Sequence, residues 1–301
     1  MLLSTTLFSL MTLCVRLASH HVPWSEVALV RALVGALIAF VVAKALGHSL
    51  AIRDRRAVWA RSLFGSLANG CTFFALSAPA IAVGDVSTLR GTAPILIAFF
   101  AAVFLGERGG RRVWLSVPLA FVGVIVLVQP QLSIAGHLAA ISLLGSLFNA
   151  LAMLLIRYAG PTESPEAIAL HFSLTTAAVM GVISIPSLVL PSGEGALWLL
   201  ACGILGGLGQ LSLTRAFSTE KAGRVGALSY FGIVLTQWLA AVFLDEPIAP
   251  HQLVGSLLVV LAGLVLAGAA YLEQRQATLR MLESDSKNER VISASSSGSS
   301  S

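Results

Sequence analysis

The run Ala101-Ala102-Val103-Phe104-Leu105-Gly106-Glu107 returns 139 residues later as Ala240-Ala241-Val242-Phe243-Leu244-Asp245-Glu246. At the same offset Gly70 meets Gly209, Gly84 meets Gly223 and Val86 meets Val225. An identity of this kind inside a register of aligned glycines marks two copies of one unit. If each copy crosses a bilayer an odd number of times, the two copies lie in it in opposite orientations.

That the unit belongs in a bilayer follows from composition. The chain is 56% hydrophobic and 11% charged, with a mean hydropathy of +0.88, whereas a soluble domain is about 25% charged. The apolar residues also gather into stretches long enough to cross about 30 Å of hydrocarbon, which takes roughly 20 residues at helical rise. Ten stretches can be drawn, at about 2 to 19, 26 to 46, 59 to 78, 83 to 105, 112 to 129, 136 to 157, 166 to 189, 196 to 217, 224 to 244 and 251 to 272. They lack the period-2 polar alternation of barrel strands, and lipid offers the backbone no hydrogen-bond partner, so they read as helices. The fold class expected is an all-α membrane protein of ten transmembrane helices in two inverted five-helix repeats, 1–130 and 131–272.

Basic residues orient the segments, because short loops rich in Lys and Arg stay in the cytoplasm. With the amino terminus inside, all of the 19 Lys and Arg except Arg16, Arg31 and Arg90 fall in inner loops, on adjoining helix ends or in the tail. Arg53, Arg55, Arg56 and Arg61 form the densest such group. Both termini are therefore expected in the cytoplasm, and the localisation expected is the cell inner membrane. The pI near 9.6 is the basic inner face of a membrane protein and not a nucleic-acid footprint. The first segment lacks the basic start and small-residue cleavage site of a signal peptide and is kept as a helix. Residues 273–301 mix charges and then turn Ser-rich, which predicts a disordered cytoplasmic tail.

Chemistry-bearing motifs are few. Cys14, Cys71 and Cys202 are odd in number and lie in apolar helices, and the six His are scattered, so no metal site and no cofactor is expected. No nucleophile, base and acid converge, so no catalytic residue is named and an enzyme is not expected. What stands out is charge inside the bilayer, which costs roughly 2.5 to 3.5 kcal/mol per residue and marks pathways or paired sites. Arg16, Arg31 and Arg90 all fall toward the outer side, where they can form one basic cluster that binds a carboxylate or other oxyanion. The structural alternative is pairing with the outer acids Glu26 and Asp85. Glu107 and Glu246 sit at segment ends and read as anchors.

Ala75-Leu76, Ala82-Val83-Gly84-Asp85, Pro94 and Phe104-Leu105-Gly106-Glu107-Arg108 resemble the repeat of the EamA family, in the drug/metabolite transporter superfamily. Arg215-Ala216-Phe217, Ala222-Gly223, Ser229-Tyr230 and Leu244-Asp245-Glu246-Pro247 are similar to its second repeat. One departure is Ile233, which stands where the first repeat has Pro94, so a proline kink is expected in the fourth segment only. The resemblance implies a basket of helices around a cavity lined by the first, third, fourth, sixth, eighth and ninth segments. Alternating access would come from rocking one repeat against the other.

On those segments Asn69, Thr72, Asn149, Gln210, Tyr230 and Gln237 join Arg16, Arg31 and Arg90 as candidate substrate-binding residues, with interhelical bonding as the alternative. Gly91 and Pro94 are the candidate hinge, and Gly65, Gly70, Gly206, Gly207 and Gly209 are candidates for close helix approach. The function the resemblance implies is a secondary transporter. Export of a small polar metabolite, such as an amino acid or an amino-acid-derived carboxylate compound including a metallophore, is favoured over import of a vitamin- or nucleoside-like molecule. A membrane-embedded enzyme is the reading from another class. The partners expected are a small-molecule substrate and membrane lipids, with a homodimer left open and no nucleic acid.

Overall fold

The computed structural model describes residues 1–106, 136–191 and 193–245, with parts of 118–126 and 249–265. Most of the fifth segment, the tenth beyond a few turns, Glu107, Glu246 and the tail 273–301 lie outside the described residues. Within them the chain is all-helical: α1 Leu2–Ala18, α2 Trp24–Leu46, α3 Arg55–Ser77, α4 Val83–Arg90, α5 Ala93–Phe104, α6 Gly136–Ala159, α7 Pro165–Ser184, α8 Gly193–Thr219, α9 Ala222–Leu228 and α10 Tyr230–Phe243. Among the described residues four helical spans are long and apolar enough to cross a membrane, namely Trp24–Leu46, Gly136–Ala159, Pro165–Ser187 and Gly193–Thr219. Leu2–Ala18 and Tyr230–Phe243 are shorter apolar helices.

Local signals set several helix ends. Asp54 caps α3 by accepting from Ala57 N, and Ser164 caps α7 by accepting from Ala167 N with Pro165 in the first turn. Gly47 ends α2 in the left-handed region at φ +68°, and His48 N returns to Ala43 O, a turn that favours a residue without a Cβ.

Long-range packing sets each half against the other. α2 lies along α7, α1 along α8, α3 along α6, α2 along α8, and α3 along α7. Small residues permit the approach: a Cβ on Gly207 would come within 3.0 Å of Gly35 Cα. Hydroxyls tie the helices where lipid-facing positions could not, with Ser4 Oγ donating to Gly209 O at 2.8 Å and Ser9 Oγ to Gly232 O at 3.0 Å.

Two segments expected as single helices are each broken in two. The fourth breaks between Arg90 and Ala93, because Pro94 has no N–H for the Arg90 carbonyl and its ring clashes there. The ninth breaks at Ser229, where the missing proline puts a symmetric kink in doubt. There the side chain replaces proline: Ser229 N and Oγ both donate to Gly226 O, and Gly232 N donates to Ser229 O, tightening the turn. The two breaks pack together, with Pro94 Cα 3.6 Å from the position a Gly226 Cβ would take.

Candidate functional site

Two cavities meet in the middle of the bundle. The wider, about 760 Å³ counted out to its mouth, is lined from α1, both broken segments, α6 and the end of α8, and reaches Met1 and Phe217. The inner one, about 470 Å³, runs on among α2, α3 and α7. Phe8, Arg90, Asn149, Met153 and Leu213 line both, so the two adjoin. The other end of α1 is packed in an apolar cluster with Leu13, Val15, Ala18, Val22, Leu76, Ile81 and Val83.

Three arginines converge on the inner chamber: Arg31 from α2, Arg61 from α3 and Arg90 from the last residue of α4. Arg31 is 4% and Arg61 1% exposed. Both reach one aromatic ring from helices that run in opposite directions, with Arg61 Cζ 3.9 Å and Arg31 Cζ 5.8 Å from the Phe172 ring centre. Cations over the face of an aromatic ring are attracted by its quadrupole. This holds the guanidiniums in place without neutralising them. Arg31 Nε, Arg61 Nε and Nη1, and Asn69 Nδ2 are buried with no hydrogen-bond partner among the described residues. Arg31 is close enough to Arg90, and Arg61 to Arg31, for their like charges to repel. The residues lining the two cavities include no Asp or Glu.

Such a site can do one thing well. Guanidiniums carry fixed charge and forked donors that match oxyanions, and Asn149 and Gln210 add neutral polar groups at the wall. Among the described residues no group of three or more His, Cys, Asp or Glu could hold a metal ion.

A family model described as the EamA-like transporter family matches residues 1–129 and 135–268. The chain belongs to the EamA-like transporter family. It is 30% identical over 272 residues to the pseudopaline exporter CntI of Pseudomonas aeruginosa, covering 88% of this chain and 93% of that protein. It is 24% identical over 186 residues to a riboflavin transporter of Rhizobium johnstonii, 62% of each chain. A solved crystal structure superposes with a TM-score of 0.73 at 21% identity, covering 88% of this chain and 96% of that one, a likeness of fold. The protein is thus a membrane transporter of a small molecule.

In this EamA transporter the expected site residues separate. Arg31, Arg90, Asn69, Thr72, Asn149 and Gln210 line the cavities, as do Gly91 and Pro94 at the break of the fourth segment. Three do not. Arg16 donates from Nη1 to Ala78 O at 2.8 Å and from Nη2 to Ile81 O at 2.6 Å, fastening α1 to the end of α3 and the loop before α4. It is not part of one cluster with Arg31 and Arg90. Tyr230 is buried with Ile233 and Ala262 against Ile95 and Leu119, and Gln237 is buried on α10, neither on a cavity wall. Nor does Glu26 serve Arg31 in the way the pairing alternative requires, since Glu26 Oε2 accepts from Val189 N at 3.1 Å.

Arg61 and Phe172 are the residues that sequence reasoning missed. Arg61 counted as one of the basic residues of a cytoplasmic helix end, and the structure corrects this: it sits six residues inside α3 with its guanidinium in the cavity. Its signal was spacing. Arg61, Gly65, Asn69 and Thr72 recur at four, four and three residues on one helical face, and all four line the inner chamber.

Proposed function

We propose that this transporter exports a small metabolite carrying more than one carboxylate, an amino-acid-derived compound of the metallophore kind. The observation that carries the reading is the convergence of Arg31, Arg61 and Arg90 on one chamber whose described lining residues include no acid. A single carboxylate leaves at least one of these charges unmatched, and a neutral cargo leaves all of them. The 30% identity to the pseudopaline exporter along most of both chains supports this direction and this cargo class.

The architecture that fits is ten helices in two inverted five-helix repeats, 1–130 and 131–272, with both termini and the tail 273–301 on the cytoplasmic side of the inner membrane. The packing supports it: the pairing of α1 with α8 has its counterpart in α3 with α6, and that of α2 with α8 in α3 with α7, when the halves are exchanged. The break in the fourth segment likewise has its partner in the ninth. Lys44, Arg55, Arg56, Arg157 and Lys221 lie near the same end of the bundle as Met1, so positive-inside orientation faces the wide cavity mouth to the cytoplasm. That is the loading state of an exporter.

The test compares metabolites in cells and medium with and without the gene, followed by efflux of labelled pseudopaline and of neutral amide analogues from cells expressing the protein. A carboxylate compound that accumulates inside on deletion, and whose amide analogue is not exported, is the expected result. Depletion inside on deletion selects import instead. A reporter fused near Arg111 checks the topology, and appearance of that reporter outside refutes it.

A further inference from the structure

A carrier that loads cargo at one face must return its emptied site. The chemistry of this site makes that return the hard step. Among the described residues Arg31 and Arg61 are buried with unsatisfied donors, Arg90 adds a third charge within repelling distance, and the chamber lining includes no carboxylate. Guanidinium stays protonated at any physiological pH, so the site cannot shed its charge as a lysine or histidine site can. Without an acid it also has no group whose deprotonation would balance the charge.

While the mouth is open, water reaches Arg90, which lines both cavities and is only half-buried, and so offsets part of the charge gathered with the buried Arg31 and Arg61. Closing around an empty site strips that water, and the third cation is then desolvated beside two that are already buried, at a cost of several kcal/mol with like-charge repulsion added. From these observations we propose that the protein is an obligatory exchanger: a second oxyanion, carboxylate or phosphate in class, must occupy the Arg31–Arg61–Arg90 site for the return stroke. This rests on the anionic-cargo reading above and adds a second transported species to it. Chloride is a poor substitute because a single spherical ion cannot satisfy paired donors on arginines that come from three helices.

The experiment reconstitutes purified full-length protein in vesicles filled with Tris citrate, Tris phosphate or Tris chloride and measures entry of radiolabelled citrate. Binding of citrate, tricarballylate and phosphate is first recorded as a rise in melting temperature in detergent. Entry into citrate- or phosphate-filled vesicles at least about tenfold faster than into chloride-filled ones is the expected result, the factor that about 1.4 kcal/mol produces. Equal entry into all three overturns exchange while leaving the anionic site standing. Failure of all three anions to bind or enter overturns the anionic reading itself, and exchange with it. Neutralising one charge by Arg61→Gln should lower the ratio of citrate-filled to chloride-filled entry severalfold. An unchanged ratio in a variant that still binds citrate and elutes as a single species also counts against the proposal.

Discussion

Arg61 offers the sharpest test because stability and function should respond to its loss in opposite directions. Its guanidinium is 1% exposed, with Nε and Nη1 unbonded among the described residues. Burying such a charge in a membrane helix costs roughly 2.5 to 3.5 kcal/mol. The ring of Phe172, 3.9 Å away, returns about 2 kcal/mol or more for a desolvated pair. The side chain therefore destabilises the resting fold by up to about 1 kcal/mol. Arg61→Met keeps the apolar stem and replaces the cation–π contact with a sulfur–aromatic one. It should raise the melting temperature in detergent by a few degrees, at about 2 to 4 °C per kcal/mol for a chain of this size class. Export should fall at the same time, because a hydrogen bond to a charged group is worth about 1.5 to 3 kcal/mol, or roughly 10- to 150-fold. A fluorescence melt beside a vesicle flux assay reads both quantities. A fall of several degrees with flux reduced only in proportion to folded protein would show that Arg61 holds the bundle together, and the reasoning would be wrong.

Other expectations follow from single contacts. A Cβ on Gly65 would lie 2.5 Å from Arg61 Nη1 and 2.8 Å from Phe172 Cε2, so Gly65→Ala should displace both and weaken anion binding, seen as loss of the citrate-induced melting shift. Arg16→Ala frees the Ala78 and Ile81 carbonyls at the packed end of α1, and labelling of Cys14 by a membrane-impermeant maleimide, in a background lacking Cys71 and Cys202, should rise. Glu166 is fully buried and takes two bonds from Arg215 and one from His48, joining α7 to α8 and the end of α2. Glu166→Gln should lower stability by about 1 to 3 kcal/mol, read as a lower melting temperature with the citrate-induced shift retained.

What the sequence made legible was what depends on long apolar runs and on strong local signals. Apolar length located the described helices to within a few residues, and Pro94 announced the first break. The second break escaped because its cause is a hydroxyl turned back on Gly226 O, and serine in an apolar helix carries no such sign by itself. Arg61 escaped for an electrostatic reason: six residues from a helix start beside Arg55 and Arg56, it obeys the positive-inside rule, and counting charge says nothing of where a long side chain points. Arg16 looked like Arg31 and Arg90, yet its partners are backbone carbonyls at Ala78 and Ile81, which any sequence in that loop supplies.

The three arginines all come from residues before 130, while Phe172 and Gln210, which line the inner chamber with them, come from after it. Asn149, at the junction of the two chambers, also belongs to the second part. On the proposed two-repeat reading, the site is less symmetric than the helix packing around it. The asymmetry has a mechanical consequence. An anion bound to Arg31, Arg61 and Arg90 is held by one half, and its remaining polar groups can be met only by the other, so occupancy favours states in which the halves approach. Without the anion the same approach crowds like charges together beside neutral groups that cannot balance them. Conformational coupling then needs no ion relay, because the differential affinity of open and closed states for an anion supplies it. On this reading, the charges proposed to bind the cargo are those that resist closing without one.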